Sequence, residues 1–138
     1  MVSSELIDRF LAGWSHNLPT LMTVFTDDIV YYDTPLQAQL NGREELRNFA
    51  EAFFATFPDV EFTLAGPPIQ SGNRAAVAWR VTGTQQGEFL GIPPSNQKMD
   101  LMGVSMMEVQ DGKVVRNSDF WDMATLLRQI GHLPALPK

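Results

Sequence analysis

Hydrophobic residues change their spacing near residue 60, and this change limits the folds that the chain can adopt. Before that point, apolar side chains recur at intervals of three and four residues, as on the buried face of an α-helix. After it, they alternate with polar residues, as in strands that bury one face. Helices followed by a long run of antiparallel strands are typical of the α+β class, so we predict that class.

Four segments have the spacing and the boundary residues of helices. The first begins at a cap on Ser3 or Ser4, and the last begins at a cap on Asp122 and ends before Gly131. The second is predicted to continue to the acidic pair Asp27 and Asp28. The predicted helices span about residues 4–14, 19–28, 44–57 and 122–131.

Five segments are rich in β-branched and aromatic residues and are bounded by turn residues. The dipeptide Asp111-Gly112 separates the last two and predicts a tight hairpin. Residues 34–41 are predicted to form a loop before the third helix. The predicted strands span about residues 29–33, 60–66, 74–85, 97–109 and 113–120, which gives the order ααβαββββα.

Length and charge restrict what the chain can bind. With 138 residues it can form one domain, residues 1–138, with its own core. A net charge of −6 without a basic run argues against nucleic acid and anionic membranes, and favours a hydrophobic small molecule. There is no cysteine, and the two histidines are far apart, so no metal site is expected. The absence of a leader and of a long apolar run predicts a cytoplasmic protein.

The strongest candidate for acid/base chemistry is Asp119. In a strand over residues 114–121, Asn117, Asp119 and Trp121 share one face because side chains alternate. A carboxyl beside an indole on an apolar face is desolvated, which raises its pKa and suits it to proton transfer near neutral pH. The alternative is a solvated or ion-paired aspartate. Asp122 stands at the junction of strand and helix, where an N-cap is the simpler interpretation.

Three other polar residues can take part in the same chemistry. Arg80 interrupts an apolar strand, so it either pairs with Asp119 or Asp33 in a pocket or lies on the outer face. Tyr31 and Asp33 are two positions apart on the first strand and therefore share a face. They can orient a carbonyl, an enol or a water, or they can be a core tyrosine and an aspartate that ends the strand.

Several apolar and polar side chains are candidates for contact with a ligand. Tryptophan and methionine are more often core residues, but a cavity that they line accommodates flat hydrophobic ligands. His16 follows a helix end and is most simply a polar residue there. The apolar loop 87–94 can cover a pocket or a sheet edge. The predicted ligand contacts are Trp14, His16, Trp121, Phe89, Met106 and Asn117.

Five stretches, taken in order, resemble the SnoaL-like polyketide cyclases of the nuclear-transport-factor-2-like superfamily. They are TLMTVFTDDIVYYDTP, NGREELRNF, WRVTGTQQGEFLGIPPSNQKMDLMGVSMMEV, DGKVVRNSDFWD and ATLLRQIG, and they cover nearly the whole chain. The resemblance implies a cone-shaped α+β barrel, in which a bent, mixed but largely antiparallel sheet and three to four helices enclose a deep pocket. It also implies a homodimer that forms through the outer face of the sheet.

The same resemblance implies a site. In the cyclases, an aspartate on the last strand acts as acid and base in an intramolecular aldol closure, without metal or cofactor. Asp119 matches that residue by strand face, and Asp122 is the second choice. Many SnoaL-like relatives carry a histidine where this chain has Gln85.

The YYDTP and SDFWD stretches are also similar to the limonene epoxide hydrolases. In those enzymes a tyrosine and an asparagine hold a water, and an arginine lies between two aspartates. Tyr31, Arg80 and Asp119 match, whereas Asp33 replaces the asparagine and Thr82 replaces the second aspartate. The relay of aspartate, arginine and aspartate is therefore incomplete.

Three functions follow as hypotheses. The first is a cofactor-independent acid/base enzyme acting on a hydrophobic, carbonyl-bearing small molecule, with Asp119 transferring the proton and Arg80 setting its ionisation. In this scheme Tyr31 and Asp33 orient the substrate or a water. The second is epoxide hydrolysis, and the third is binding of a small molecule without chemistry.

Overall fold

The computed structural model describes residues 1–137, which contain four helices and seven strands. None of the helices in this part of the chain is long and apolar enough to cross a membrane. The helices are α1 (Ser4–Trp14), α2 (Leu18–Leu21), α3 (Gly42–Thr56) and α4 (Met123–Gln129). The strands are β1 (Phe25–Asp33), β2 (Ala38–Asn41), β3 (Glu61–Leu64), β4 (Ile69–Ser71), β5 (Arg74–Thr84), β6 (Lys98–Gln110) and β7 (Lys113–Trp121).

Side-chain caps fix the starts of three helices. Ser3, Asn17 and Asp122 each accept a hydrogen bond from the backbone N–H three residues later. Gly131 follows α4 with a φ of +90°, a conformation that glycine adopts readily and that ends a helix. The predicted caps at Ser3 and Asp122 are thus confirmed, and Asp122 is exposed at the helix end.

All seven strands belong to one mixed sheet, in the order β2-β1-β7-β6-β5-β3, with β4 also paired to β5. Only β1 and β7 pair in parallel, and the remaining pairs in the described residues are antiparallel. Asp111 and Gly112, both with positive φ, form the predicted turn between β6 and β7. The predicted class, a bent mixed sheet with helices against it, is confirmed.

Alternation along the strands divides the sheet into an inner and an outer face. On β7, Asn117 and Asp119 are buried, whereas Arg116 and Phe120 are exposed. The inner face packs against α1 and α3, and the aromatic residues of these helices fill much of the space beneath it. Inner-face side chains of β1, β5, β6 and β7 therefore converge on one volume.

The structure differs from the predicted elements in three places. The second helix ends at Leu21, and Phe25 already begins β1, so the predicted continuation to Asp28 is wrong. The segment 38–41, predicted as loop, is the edge strand β2, which pairs with β1. The structure also contains the short strand β4, absent from the prediction, before the turn at Gly72. Strands this short have too few residues for a clear alternation.

Candidate active site

A cavity of about 80 Å³ lies between the inner face of the sheet and helices α1 and α3. Most of its wall is aromatic or aliphatic. Four polar side chains enter this apolar lining: Tyr31, Asp33, Ser105 and Asp119. The rings around them include Trp14, Phe49, Phe53, Phe62, Trp79 and Phe89.

Three hydrogen-bond donors surround the carboxyl group of Asp119. Ser105 Oγ donates to Oδ1 over 2.6 Å, and Asn117 Nδ2 donates to the same oxygen over 2.7 Å. Tyr31 Oη donates to Oδ2. Ser105 Oγ accepts from Trp79 Nε1 over 2.9 Å, which directs the serine hydrogen towards Asp119. The carboxyl is thus held in one orientation by partners from three strands.

Burial raises the pKa of Asp119 to about 6. The hydrogen bonds from Ser105, Tyr31 and Asn117 favour the ionised form and lower the pKa, but by less than burial raises it; the negative charge of Asp33 raises it further. The same burial and the proximity of Asp119 raise the pKa of Tyr31 well above its usual range, so the phenol keeps its proton. Asp119 can therefore gain and lose a proton near neutral pH.

Asp33 lies beside Asp119 and has different partners. The indole N–H of Trp121 is shared between Oδ2 at 3.0 Å and Oδ1 at 3.2 Å, and the Leu36 backbone N–H donates to Oδ1 at 3.1 Å. Burial raises the pKa of Asp33, and these two donors lower it in part. Trp14 Nε1, by contrast, is buried without a hydrogen-bond partner.

The cavity brings together six of the residues selected from the sequence. They come from α1, β1, β7 and the loop after β5, and alternation correctly assigned the strand residues among them to one face. These residues are Trp14, Tyr31, Asp33, Phe89, Asp119 and Trp121.

Arg80 is not part of this cavity, and the prediction that it pairs with Asp119 or Asp33 is wrong. It points outward from β5 between the inward-facing Trp79 and Val81. There it makes two hydrogen bonds with Asp100, of 2.8 and 2.6 Å. It therefore cannot set the ionisation of Asp119, and the arginine relay of the epoxide hydrolases is absent from the cavity.

Two predicted ligand contacts also lie elsewhere. Met106 is 44% exposed on the outer face of β6. His16 is exposed after α1 in a left-handed conformation, where its Nδ1 lies 2.6 Å from the Pro58 carbonyl oxygen and its ring stacks on Phe54. Neither lines the cavity. Asn117 is buried behind Asp119 and acts on that carboxyl, so its assignment as a direct ligand contact is wrong.

Ser105 is a site residue that the sequence analysis missed. It faces inward on β6 between Gly103 and Met107, and it is fully buried. A small hydroxyl residue at an inward position of an otherwise apolar strand was the available signal. Such a group needs a buried partner, and here its partners are Trp79 and Asp119.

Gln85 holds the loop that carries Phe89. Its fully buried amide nitrogen donates to the carbonyls of Gly87, Ile92 and Pro93 at 3.2–3.3 Å. Its Oε1 accepts from the hydroxyl of Ser95 at 2.6 Å. Gln85 thus braces the loop 86–97 and does not line the cavity.

No group of three or more His, Asp or Glu side chains within residues 1–137 is arranged to hold a metal ion. The polar groups at the cavity are instead suited to hydrogen bonding and proton transfer, because each is a carboxyl, a hydroxyl or an indole N–H.

Comparison with known proteins agrees with this architecture. AclR from Streptomyces galilaeus, a proposed hydroxylase, is 29% identical, with a TM-score of 0.83 over 97% of this chain and 83% of that one. IdmH from Streptomyces antibioticus, a proposed polyketide cyclase, is 25% identical, with a TM-score of 0.79 over 93% of this chain and 97% of that one. A protein of Catenulispora acidiphila with a ketosteroid isomerase-like fold has a TM-score of 0.82 at 18% identity, over 94% and 95% of the two chains.

Among curated proteins, none matches this sequence. The family model described as SnoaL-like polyketide cyclase matches residues 4–130, which is nearly the whole chain. The chain therefore belongs to the SnoaL-like polyketide cyclase family.

Proposed function

We propose that this protein is a cofactor-independent acid/base enzyme that acts on a hydrophobic small molecule bearing a carbonyl group. The observation that carries the proposal is the position of Asp119, a carboxyl with a pKa of about 6 at the wall of an aromatic cavity. A group that titrates near the working pH is an efficient proton donor and acceptor. The apolar wall selects a ligand that is hydrophobic apart from the reacting group.

Asp119 exchanges the proton through Oδ2, the oxygen that contacts the Tyr31 hydroxyl. Tyr31 and Asp119 both line the cavity, and when Asp119 carries the proton, the phenol O–H that otherwise donates to Oδ2 is free to stabilise negative charge that develops on a ligand oxygen. The indole N–H of Trp14 lies near the phenol oxygen and favours negative charge on it, which eases transfer of the phenol proton. These groups suit the formation of an enol or enolate, the step that begins an aldol closure or an isomerisation.

The relatives support this class of chemistry. IdmH is described as a proposed polyketide cyclase, and the family takes its name from such cyclases. A cavity of about 80 Å³ is smaller than the roughly 300–1,000 Å³ of pockets that hold drug-sized ligands. Binding a polyketide therefore requires the cavity to enlarge, and we propose that it does so by an outward movement of Phe89 on the loop 86–97.

The experiment that tests this function uses acetophenone, a small aryl ketone with exchangeable α-hydrogens. Incubated in D₂O with the purified protein, it should lose its methyl ¹H NMR signal faster than in buffer alone, and it should raise the melting temperature. A raised melting temperature without exchange would instead indicate a binding protein. Release of a diol from a cyclic epoxide, with solvent oxygen incorporated, would indicate a hydrolase.

We also propose that the outer face of the sheet binds a second copy of the chain. Large apolar side chains are exposed on this face, which is uncommon for a monomer. Arg116 lies opposite Glu108 there, so the face carries both signs of charge and can complement itself across a two-fold axis. The exposed apolar residues are Ile69, Met102, Met106 and Phe120.

Replacing Phe120 with glutamate should convert this dimer to a monomer, because the substitution buries an unpaired charge in the contact. Size-exclusion chromatography with light scattering should show twice the 15.4 kDa chain mass before the change and the chain mass after it. Leu136→Glu, which alters a more exposed apolar residue in the C-terminal segment, should leave the dimer intact. A wild-type monomer would contradict the proposal.

A further inference from the structure

The two carboxyl groups of the cavity are direct neighbours. Asp33 on β1 and Asp119 on β7 are register partners in the parallel pair, and both face inward. Adjacent strands lie about 4.8 Å apart, so the side chains stand next to each other. They are only 5% and 8% exposed, and neither forms an ion pair with any residue in the described part of the chain.

Two carboxylates in an apolar cavity without a cation repel each other strongly. The pair therefore holds on to one proton over a range of pH in which separate carboxyls would both be ionised. Besides these two groups, the titratable side chain that faces the pair is Tyr31, whose phenol stays protonated. The position of the shared proton then decides which carboxyl is the acid and which is the base.

Burial favours the protonated form of Asp119, and its hydrogen bonds decide which of its two oxygens carries the proton. Asp119 Oδ1 receives two donors: Asn117 Nδ2, which only donates, and the Ser105 hydroxyl, whose hydrogen is directed there because its oxygen accepts from Trp79. A proton on Asp119 therefore resides on Oδ2, where it donates to the oxygen of Tyr31. The phenol hydrogen is then free to turn towards a ligand.

Fewer donors bind the carboxylate of Asp33 than that of Asp119, so more of its lone pairs can accept a proton. Its Oδ1 takes the Leu36 N–H, while its Oδ2 has only a share of the Trp121 indole N–H at 3.0 Å. At least one lone pair of Oδ2 is left without a donor from the protein. This lone pair belongs to a carboxyl that lines the cavity.

We infer that Asp33 is a second catalytic residue, the base that removes a proton from a ligand carbon, while Asp119 supplies a proton to a ligand oxygen through Tyr31. Trp121 is the positioning residue of this base, because its indole N–H orients the Asp33 carboxylate. The inference rests on the proposed acid/base function and assigns separate roles within it.

The step balances within one ligand that carries two carbonyl groups. The C–H bond next to the first carbonyl breaks, its proton goes to Asp33, and its electron pair forms a bond to the carbon of the second carbonyl. The oxygen of that carbonyl takes the Tyr31 proton, and Tyr31 takes the proton of Asp119. The pair begins and ends with one proton and one negative charge, and return of the proton to Asp119 resets the site.

Acetophenone exchange in D₂O tests the base role. Asp33→Asn should slow α-hydrogen exchange about 100-fold or more, since an amide cannot accept the proton. Asp28→Asn, the same change at an exposed position of β1, should exchange at the wild-type rate. Exchange that survives in Asp33→Asn but is lost in Asp119→Asn would overturn the base role and leave the proposed function standing. The reverse pattern would overturn the role of Asp119.

A second readout does not depend on turnover. In ¹³C NMR titrations of the carboxyl carbons, Asp33→Asn should lower the pKa of Asp119, because the neighbouring negative charge is removed. An unchanged pKa of Asp119 would overturn the pairing, whether or not acetophenone is a substrate. If Asp33→Asn fails to fold, Trp121→Phe provides the test. Loss of the indole donor should raise the pKa of Asp33, so the exchange rate should begin to increase at a higher pH. An unchanged pH profile would overturn the assignment of Asp33 as the base.

Discussion

Replacing Asp119 with asparagine is expected to lower the rate of acetophenone exchange by about 100- to 10,000-fold, the usual contribution of a general acid or base. The amide can keep the local hydrogen bonds. Its oxygen accepts from Ser105 and Asn117 as Oδ1 does, and its nitrogen donates to Tyr31 as a protonated Oδ2 does. The substitution thus removes the transferable proton and little else.

Exchange rates measured by ¹H NMR across pH 5 to 8 provide the check. Asp111→Asn is a suitable control, because Asp111 is exposed in the β6–β7 turn at a positive φ that asparagine tolerates. Ser105→Ala is a milder change, because it removes one donor and keeps the carboxyl group. Loss of one donor to the carboxylate should raise the pKa of Asp119 and shift the pH dependence of exchange upward. Full activity in Asp119→Asn would remove the main support for the proposed function.

Alternation grouped the main polar residues of the site into two pairs, one on each strand. Tyr31 and Asp33 are two positions apart on one strand, and Asp119 is two positions before Trp121 on another, so each pair had to share a face. That both faces are the same inner face depends on the parallel pairing of β1 with β7, which joins segments nearly 90 residues apart. Local patterns did not predict this pairing, and the resemblance to the family implied only that the sheet is mixed.

Arg80 shows what alternation could not decide. The pattern around Trp79 and Val81 is compatible with an outward arginine, but a charge in an apolar strand also suggested a buried partner. Its actual partner, Asp100, lies on the outer face of β6 opposite Thr82, diagonal to Arg80. Finding it required the register of the β5–β6 hairpin, which is set by a loop of 13 residues with no short-turn signature.

His16 was misjudged for a related reason. Its position after a helix end was recognised, but its contacts with Phe54 and Pro58 come from residues about 40 positions away. Tertiary packing of this kind leaves no trace in local spacing. The buried Ser105, in contrast, did break the apolar series of inward positions on β6, so closer attention to that series would have identified it.

The raised pKa of Asp119 also has a consequence for stability. In the folded chain this carboxyl holds its proton up to about pH 6, whereas its ordinary pKa is 3.8. The folded state therefore binds more protons than the unfolded state between these values, so the free energy of unfolding falls as the pH rises through this window. A difference of about two pKa units corresponds to about 3 kcal/mol. The raised pKa of Asp33 acts in the same direction.

Asp119→Asn should remove most of this loss, because an amide does not ionise. In urea unfolding at intervals from pH 4 to pH 7.5, the wild-type free energy of unfolding should fall by up to about 3 kcal/mol more than that of the variant. Near neutral pH the variant should then keep more of its pH 4 stability than the wild type keeps, even as its activity is lost. Parallel stability profiles would mean that Asp119 ionises as an ordinary carboxyl. The acid/base role would then lack its physical basis, because ionisation of the buried carboxyl would not lower the free energy of unfolding.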